Sequence, residues 1–160
     1  MKKQKSERGQ SLVELSISLV VLLYLLSGAV EFGIAFFQFV QLRDAAQEGA
    51  LFGSMNPSVG ITLIETRVRA ASGSPIDLAQ NDPSQPNYVN VLITAKDSAG
   101  NTISAIGACE GDALTVDVSF DHQIFMPFIP QLIGRNTLPL RATVTDTVLA
   151  PVQTASTCAP

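Results

Sequence analysis

The chain has 160 residues, 46% of them hydrophobic and 15% charged, with a formal net charge of −4, 2 cysteines and 1 histidine. That length suits one small domain with an appendage, domains running to roughly 100–150 residues. Two thiols without a C-x-x-C pair and a lone His122 do not fill a tetrahedral metal site, so composition argues against a metal protein and names no cofactor.

Charge and apolar content are both segregated along the chain. Lys2, Lys3, Lys5 and Arg8 against Glu7 give residues 1–9 a net +3, which leaves −7 for the rest of a chain that totals −4. A short basic patch directly before an apolar stretch stays on the cytoplasmic side of a membrane. This places the N-terminus inside and the acidic remainder outside, in a single-pass protein of the inner (cytoplasmic) membrane. Three net charges beside a membrane span are a poor match for nucleic acid.

Sixteen uncharged residues, Leu15 to Val30, separate Glu14 from Glu31. As a helix they cover about 24 Å at 1.5 Å per residue, and the apolar character resumes at Phe32 and runs to Val40, enough for a hydrocarbon core of about 30 Å. No proline occurs before Pro57, so a single helix over residues 10–53 is expected, on the order of 65 Å long. Its outer half must continue into an exported domain or a neighbouring subunit. There Phe32, Phe36, Phe39 and Val40 fall on related turns, and Arg43, Asp44, Gln47 and Glu48 supply a polar face. Ala45, Ala46, Gly49, Ala50 and Gly53 allow close approach of another backbone or a sheet. Asn56-Pro57 ends the helix.

A cleavable secretory signal has a shorter apolar core of roughly 7–15 residues. A plain signal anchor accounts for the span and its orientation, but not for the boundary residues Arg8-Gly9-Gln10-Ser11-Leu12-Val13-Glu14. Gly9 lacks a side chain and so lets a protease approach the backbone closely. Glu14 is a carboxylate one turn inside an apolar helix, a placement that costs about 2.5–3.5 kcal/mol near a bilayer centre and less at an interface. It either snorkels to the headgroups or is neutralised by a partner.

These residues resemble a type IV prepilin processing motif, in which a basic leader ends in glycine and a glutamate stands fifth in the mature chain. Counted from Gln10, Glu14 is the fifth residue. Gln10 departs from the phenylalanine common at the first mature position of major pilins. The ordered series GQSLVEL, Glu31-Phe32-Gly33, Phe36-Phe37 and Ala45-Ala46-x-Glu48-Gly49-Ala50 is similar to the TadE-like family of tight-adherence (Flp-type) pilus assembly proteins. The resemblance implies a non-enzymatic minor pilin or pseudopilin, cut between Gly9 and Gln10 by a prepilin peptidase. It further implies that Glu14 meets the N-terminal amine of an adjacent subunit during assembly. The implied partners are the membrane, other minor and major pilins, and the secretion platform with its ATPase. The alternative is an uncleaved single-pass anchor presenting an extracytoplasmic binding domain.

Four segments follow from these patterns: a cytoplasmic leader 1–9, a transmembrane and amphipathic helix 10–54, an exported α+β domain 55–150, and a loosely ordered tail 151–160. Within the domain a second helix is expected over residues 62–72, with Thr62 and Glu65 as a capping box. Residues 72–87, rich in Ser, Pro, Asp, Asn and Gln, read as a loop. Four strands of an antiparallel sheet are expected around Val89–Ile93, Thr102–Ile106, Leu114–Phe120 and Leu138–Val148, the third alternating most cleanly. A helix lying along a small sheet is the pilin-like architecture.

The apolar run Ile124–Ile133 contains two prolines. It either tucks under the sheet edge or forms an exposed patch meeting another subunit or the bilayer surface. No catalytic constellation is present in the sequence. His122 reads as a surface or turn residue beside Asp121, and Asp112, Asp117 and Asp121 read as a solvated polar face rather than a calcium site. Cys109 and Cys158 are the candidate pair for a disulfide, which export would permit.

Overall fold

In the computed structural model, residues 8–106, 108–127 and 129–149 are described. The absence of proline before position 57 and the run of strong helix formers let one helix, α1 (Arg8–Met55), extend over 48 residues. It ends where expected, with the Asn56 amide donating to the Phe52 carbonyl at 2.9 Å and the Asn56 N–H to Gly53 O at 3.2 Å. Helix α2 (Ile61–Ala70) follows, then strands β1 (Val89–Lys96), β2 (Thr102–Ile103) and β3 (Ala113–Gln123), a short helix α3 (Ile129–Ile133), and β4 (Thr137–Thr147). The strands form one antiparallel sheet in the order β2-β1-β3-β4. This is the expected α+β architecture of a long apolar helix, one further helix of any length and four antiparallel strands.

Register explains which side chains are inside. Val91, Val118 and Ala142 lie opposite one another across β1, β3 and β4, as do Ile93, Val116 and Val144 one pair further along. With a period of two, this set faces α1 and α2, while Asn90, Ser119 and Arg141 face away. The core is accordingly Leu114, Val116, Val118 and Ala95 from the sheet, Ile64 and Val68 from α2, and Leu42, Ala45, Ala46 and Ala50 from α1.

The burial of α1 corrects the amphipathic face expected from its aromatics. Phe32 is 71% exposed and Phe37 63%, and Phe36 and Phe39 are exposed as well; the buried stripe is Ala35, Leu42, Ala45, Ala46 and Ala50. The reason is the distance between backbones. A Cβ on Gly49 would collide with Val68, and one on Gly53 with Leu114. A helix lying that close to a sheet accepts small residues on the contact side and turns its large rings outward.

The predicted capping box is not formed. Gly60 is the N-cap of α2 with no side-chain cap, and Glu65 instead pairs with Arg69 one turn on, at 2.8 Å. Arg69 then donates to the carbonyls of Leu78, Gln80 and Val89 at 3.0–3.3 Å. The buried Gln41 makes a reciprocal amide clamp with the backbone of Ile76, at 2.7 and 2.8 Å. These two side chains satisfy the loop between α2 and β1, which has no ladder to bond to. The turn after β1 is closed by Asp97. The Asn101 side chain and backbone N–H donate to its carboxylate at 3.0 and 2.8 Å and hold its pKa below the ordinary 3.8.

Candidate functional site along the first helix

Three zones succeed one another along α1. From Gly9 to Ile34 the helix is largely uncovered, with Leu12, Leu15, Ile17, Leu22 and Leu26 all exposed. It is long and apolar enough to cross a membrane, with a mean hydropathy of 2.2 in its most apolar window and none of that window buried within the molecule. Among the described residues it is the one helix of this character, and it suggests a single-pass membrane protein. At its start, Gln10 and Glu14 are both exposed, and the Gln10 amide donates to the Glu14 carboxylate at 3.3 Å, a contact between neighbours one turn apart. A Cβ at Gly9 would meet nothing within 4 Å.

The middle zone is a latch. Tyr24, Gly28 and Glu31 recur at helical spacing and are half-buried amid exposed neighbours. The segment between β3 and β4 covers them. His122 Nε2 lies 2.9 Å from Glu31 Oε1, the Phe125 N–H donates to the same carboxylate at 3.1 Å, and the Tyr24 hydroxyl donates to the Pro127 carbonyl at 2.9 Å. A Cβ on Gly28 would sit 3.6 Å from Met126 Cε, so helix and loop meet at van der Waals range. His122 is only 1% exposed and packs edge-on to Phe125, with ring centroids 6.1 Å apart. Its assignment as a surface or turn residue is therefore wrong. The signal was present in the alternation of β3: His122 has the same parity as Leu114, Val116, Val118 and Phe120, and the strand continues to Gln123.

The upper zone carries the A-x-E-G-A segment. Ala45, Ala46 and Ala50 are buried, Gly49 abuts Val68 and Val116, and Glu48 pairs with Arg67 at 2.6 Å. Arg67 in turn stacks over the Phe52 ring, 5.9 Å from its centroid. Of the other motif residues, Phe32 stacks on Phe36 at 6.2 Å on the outer side of the helix, and Gly33 has nothing near the position of a Cβ. Glu31, Phe32 and Gly33 thus serve different neighbours although they are consecutive.

Two of the acidic residues read as a solvated face are engaged instead. Asp117 is 6% exposed and accepts from Arg141 and Thr143, both at 2.6 Å. Asp112 accepts the Cys109 N–H at 2.7 Å. Among the described residues no group of three or more His, Cys, Asp or Glu is placed to hold a metal ion. Cys109 is disulfide-bonded, and Cys158 lies outside the described residues, as do leader residues 1–7 and the tail.

No curated protein and no solved structure matches the chain. Residues 9–51 match the family model described as TadE-like protein. That stretch begins at Gly9 and ends within the part of α1 that packs on the sheet, short of Gly53 and the buried Ser54. Over residues 9–51, about a quarter of its length, the chain is similar to the TadE-like family.

Proposed function

We propose that the protein is a minor pilin or pseudopilin that assists assembly of a tight-adherence pilus. Its basic leader stays in the cytoplasm, a prepilin peptidase cuts between Gly9 and Gln10, and the α+β domain lies outside the inner membrane. The observation that carries this reading is the division of α1: an uncovered apolar half bearing Glu14 at its base, continuous with a half packed on the sheet, with most of both inside the TadE-like match. An exposed apolar helix of this kind is suited to lateral packing, first against lipid and then against the helices of other minor and major pilins. Glu14 has an exposed carboxylate, bonded among the described residues only to the Gln10 amide in the same helix, that can meet the new N-terminal amine of an adjacent subunit, an arrangement that offsets the cost of an ionised group in the bilayer. The secretion platform and its ATPase are the remaining partners. The protein's role is structural, with no reaction of its own. Export also suits a disulfide between Cys109 and Cys158.

The test is the mature N-terminus, read by mass spectrometry of the protein purified from its own membranes. A chain beginning at Gln10 is expected, and Gly9→Ala should retain the leader. Glu14→Ala should insert normally yet lower pilus number severely. An intact leader in cells with active peptidase would leave the uncleaved anchor as the better reading. Normal piliation with Glu14→Ala would remove the role given to that carboxylate.

A further inference from the structure

The loop that closes over Glu31 is placed deeper than an exported domain needs. Tyr24 lies seven residues before Glu31, about 10 Å further along the helix towards the cytoplasmic end. Met126 and Ile129 border shallow apolar grooves on α1 together with Val20, Val21 and Tyr24. Those helix positions belong to the uncharged stretch that crosses the bilayer. The loop beside them therefore lies at the same depth as the helix it touches.

We propose that the segment carrying Phe125, Met126, Ile129 and Ile133 is a second membrane contact, a wedge that enters the leaflet on the domain's side and meets lipid acyl chains beside α1. Its chemistry fits that medium. No charged side chain occurs from Gln123 to Gly134, and Arg135 follows directly, a cation whose long stem lets it reach phosphate headgroups. Phe125 is 73% exposed and Ile133 49%, in a segment whose Met126 and Ile129 border the apolar surface of α1. Irregular backbone is tolerated in hydrocarbon only when its polar groups are satisfied internally, and several of them are satisfied here. The Ile124 N–H bonds Asn136 O at 3.0 Å, the Phe125 N–H bonds Glu31, and Pro127 and Pro130 have no N–H to satisfy. The Pro127 carbonyl receives the Tyr24 hydroxyl, and residues 129–133 form a helical turn. An immersion of about 5–10 Å is usual for an element lying in the interface. The inference rests on α1 crossing the bilayer and is independent of the pilin role.

The chain contains no tryptophan, so single-tryptophan variants report depth without background. Full-length Phe125→Trp and Ile133→Trp, both at exposed positions that tolerate the larger ring, would be reconstituted in phosphatidylcholine–phosphatidylglycerol vesicles with brominated acyl chains. Leu22→Trp reports mid-span and Leu92→Trp the outer face of the sheet. Blue-shifted emission and a several-fold loss of intensity in brominated lipid are expected at positions 125, 133 and 22. Position 92 should instead be quenched by aqueous acrylamide. Quenching at 22 by lipid, with 125 and 133 quenched by acrylamide, would overturn the wedge while leaving the span intact. Protection of 125 and 133 from both quenchers would mean that protein covers them, as in contact with a second copy, and would also overturn it. No lipid quenching at position 22 would remove the span and the wedge together.

Discussion

His122 and Glu31 are 91 positions apart in sequence and 2.9 Å apart in space. The ring is fully buried and the carboxylate mostly so, so each is the other's main compensation for lost water. Removing the imidazole by His122→Ala should destabilise the full-length protein in detergent by about 1.5–3 kcal/mol, the range for a hydrogen bond to a charged group. Glu31→Gln should cost less, because its amide oxygen still accepts the Phe125 N–H. Chemical denaturation of the two variants tests this order; equal stability of His122→Ala and wild type would show that the contact contributes nothing. The alternation of β3 was legible in the sequence, and extended by one residue pair it turns His122 inward. The identity of its partner was not legible, since Glu31 reads equally well as a boundary charge of the span until the loop is seen to fold back on the helix.

At the level of elements, α1 works as two helices joined end to end. Its upper half is shaped by Gly49 and Gly53, where the backbone approaches Val68 and Leu114 too closely for a side chain. Its lower half has no such constraint, and Gly33 faces open space. Gly49→Ala should therefore lower stability by about 1–3 kcal/mol, the usual cost of overpacking a close-packed site. Gly33→Ala should leave folding unchanged, or raise stability slightly through helix propensity. Thermal unfolding of the two variants side by side decides this, and a Gly33→Ala protein that folds normally but fails to support pili would point to packing between subunits. The small-residue stripe was evident in the sequence as a surface for close approach. That the protein's own sheet and α2 fill it, and that Phe32, Phe36, Phe37 and Phe39 turn outward, depended on the placement of α2. The missing cap at Thr62 has a similar origin: Glu65 is drawn to Arg69, which the loop carbonyls hold in place.

For the whole molecule, the proposed orientation rests on the charge imbalance across the span. Lys2→Gln, Lys3→Gln and Lys5→Gln together remove the net positive charge of the leader, leaving Arg8 against Glu7. The fraction of molecules with the domain outside should fall, as read by a reporter fused to the C-terminus that is active only after export. An unchanged orientation would mean that the folding domain or a partner sets the topology. By itself, the sequence determined the length and apolarity of α1, the segregation of charge, the processing-type motif around Gly9 and the strand alternation. All of these are periodicities or compositions that read from neighbours within a few positions. The tertiary structure alone decided which face of α1 is buried, that His122 meets Glu31, and that the apolar loop descends beside Tyr24. Those contacts join residues from about twenty to about a hundred positions apart, and burial and hydrogen-bond satisfaction select them only once α2, the sheet and the loop are brought against the helix.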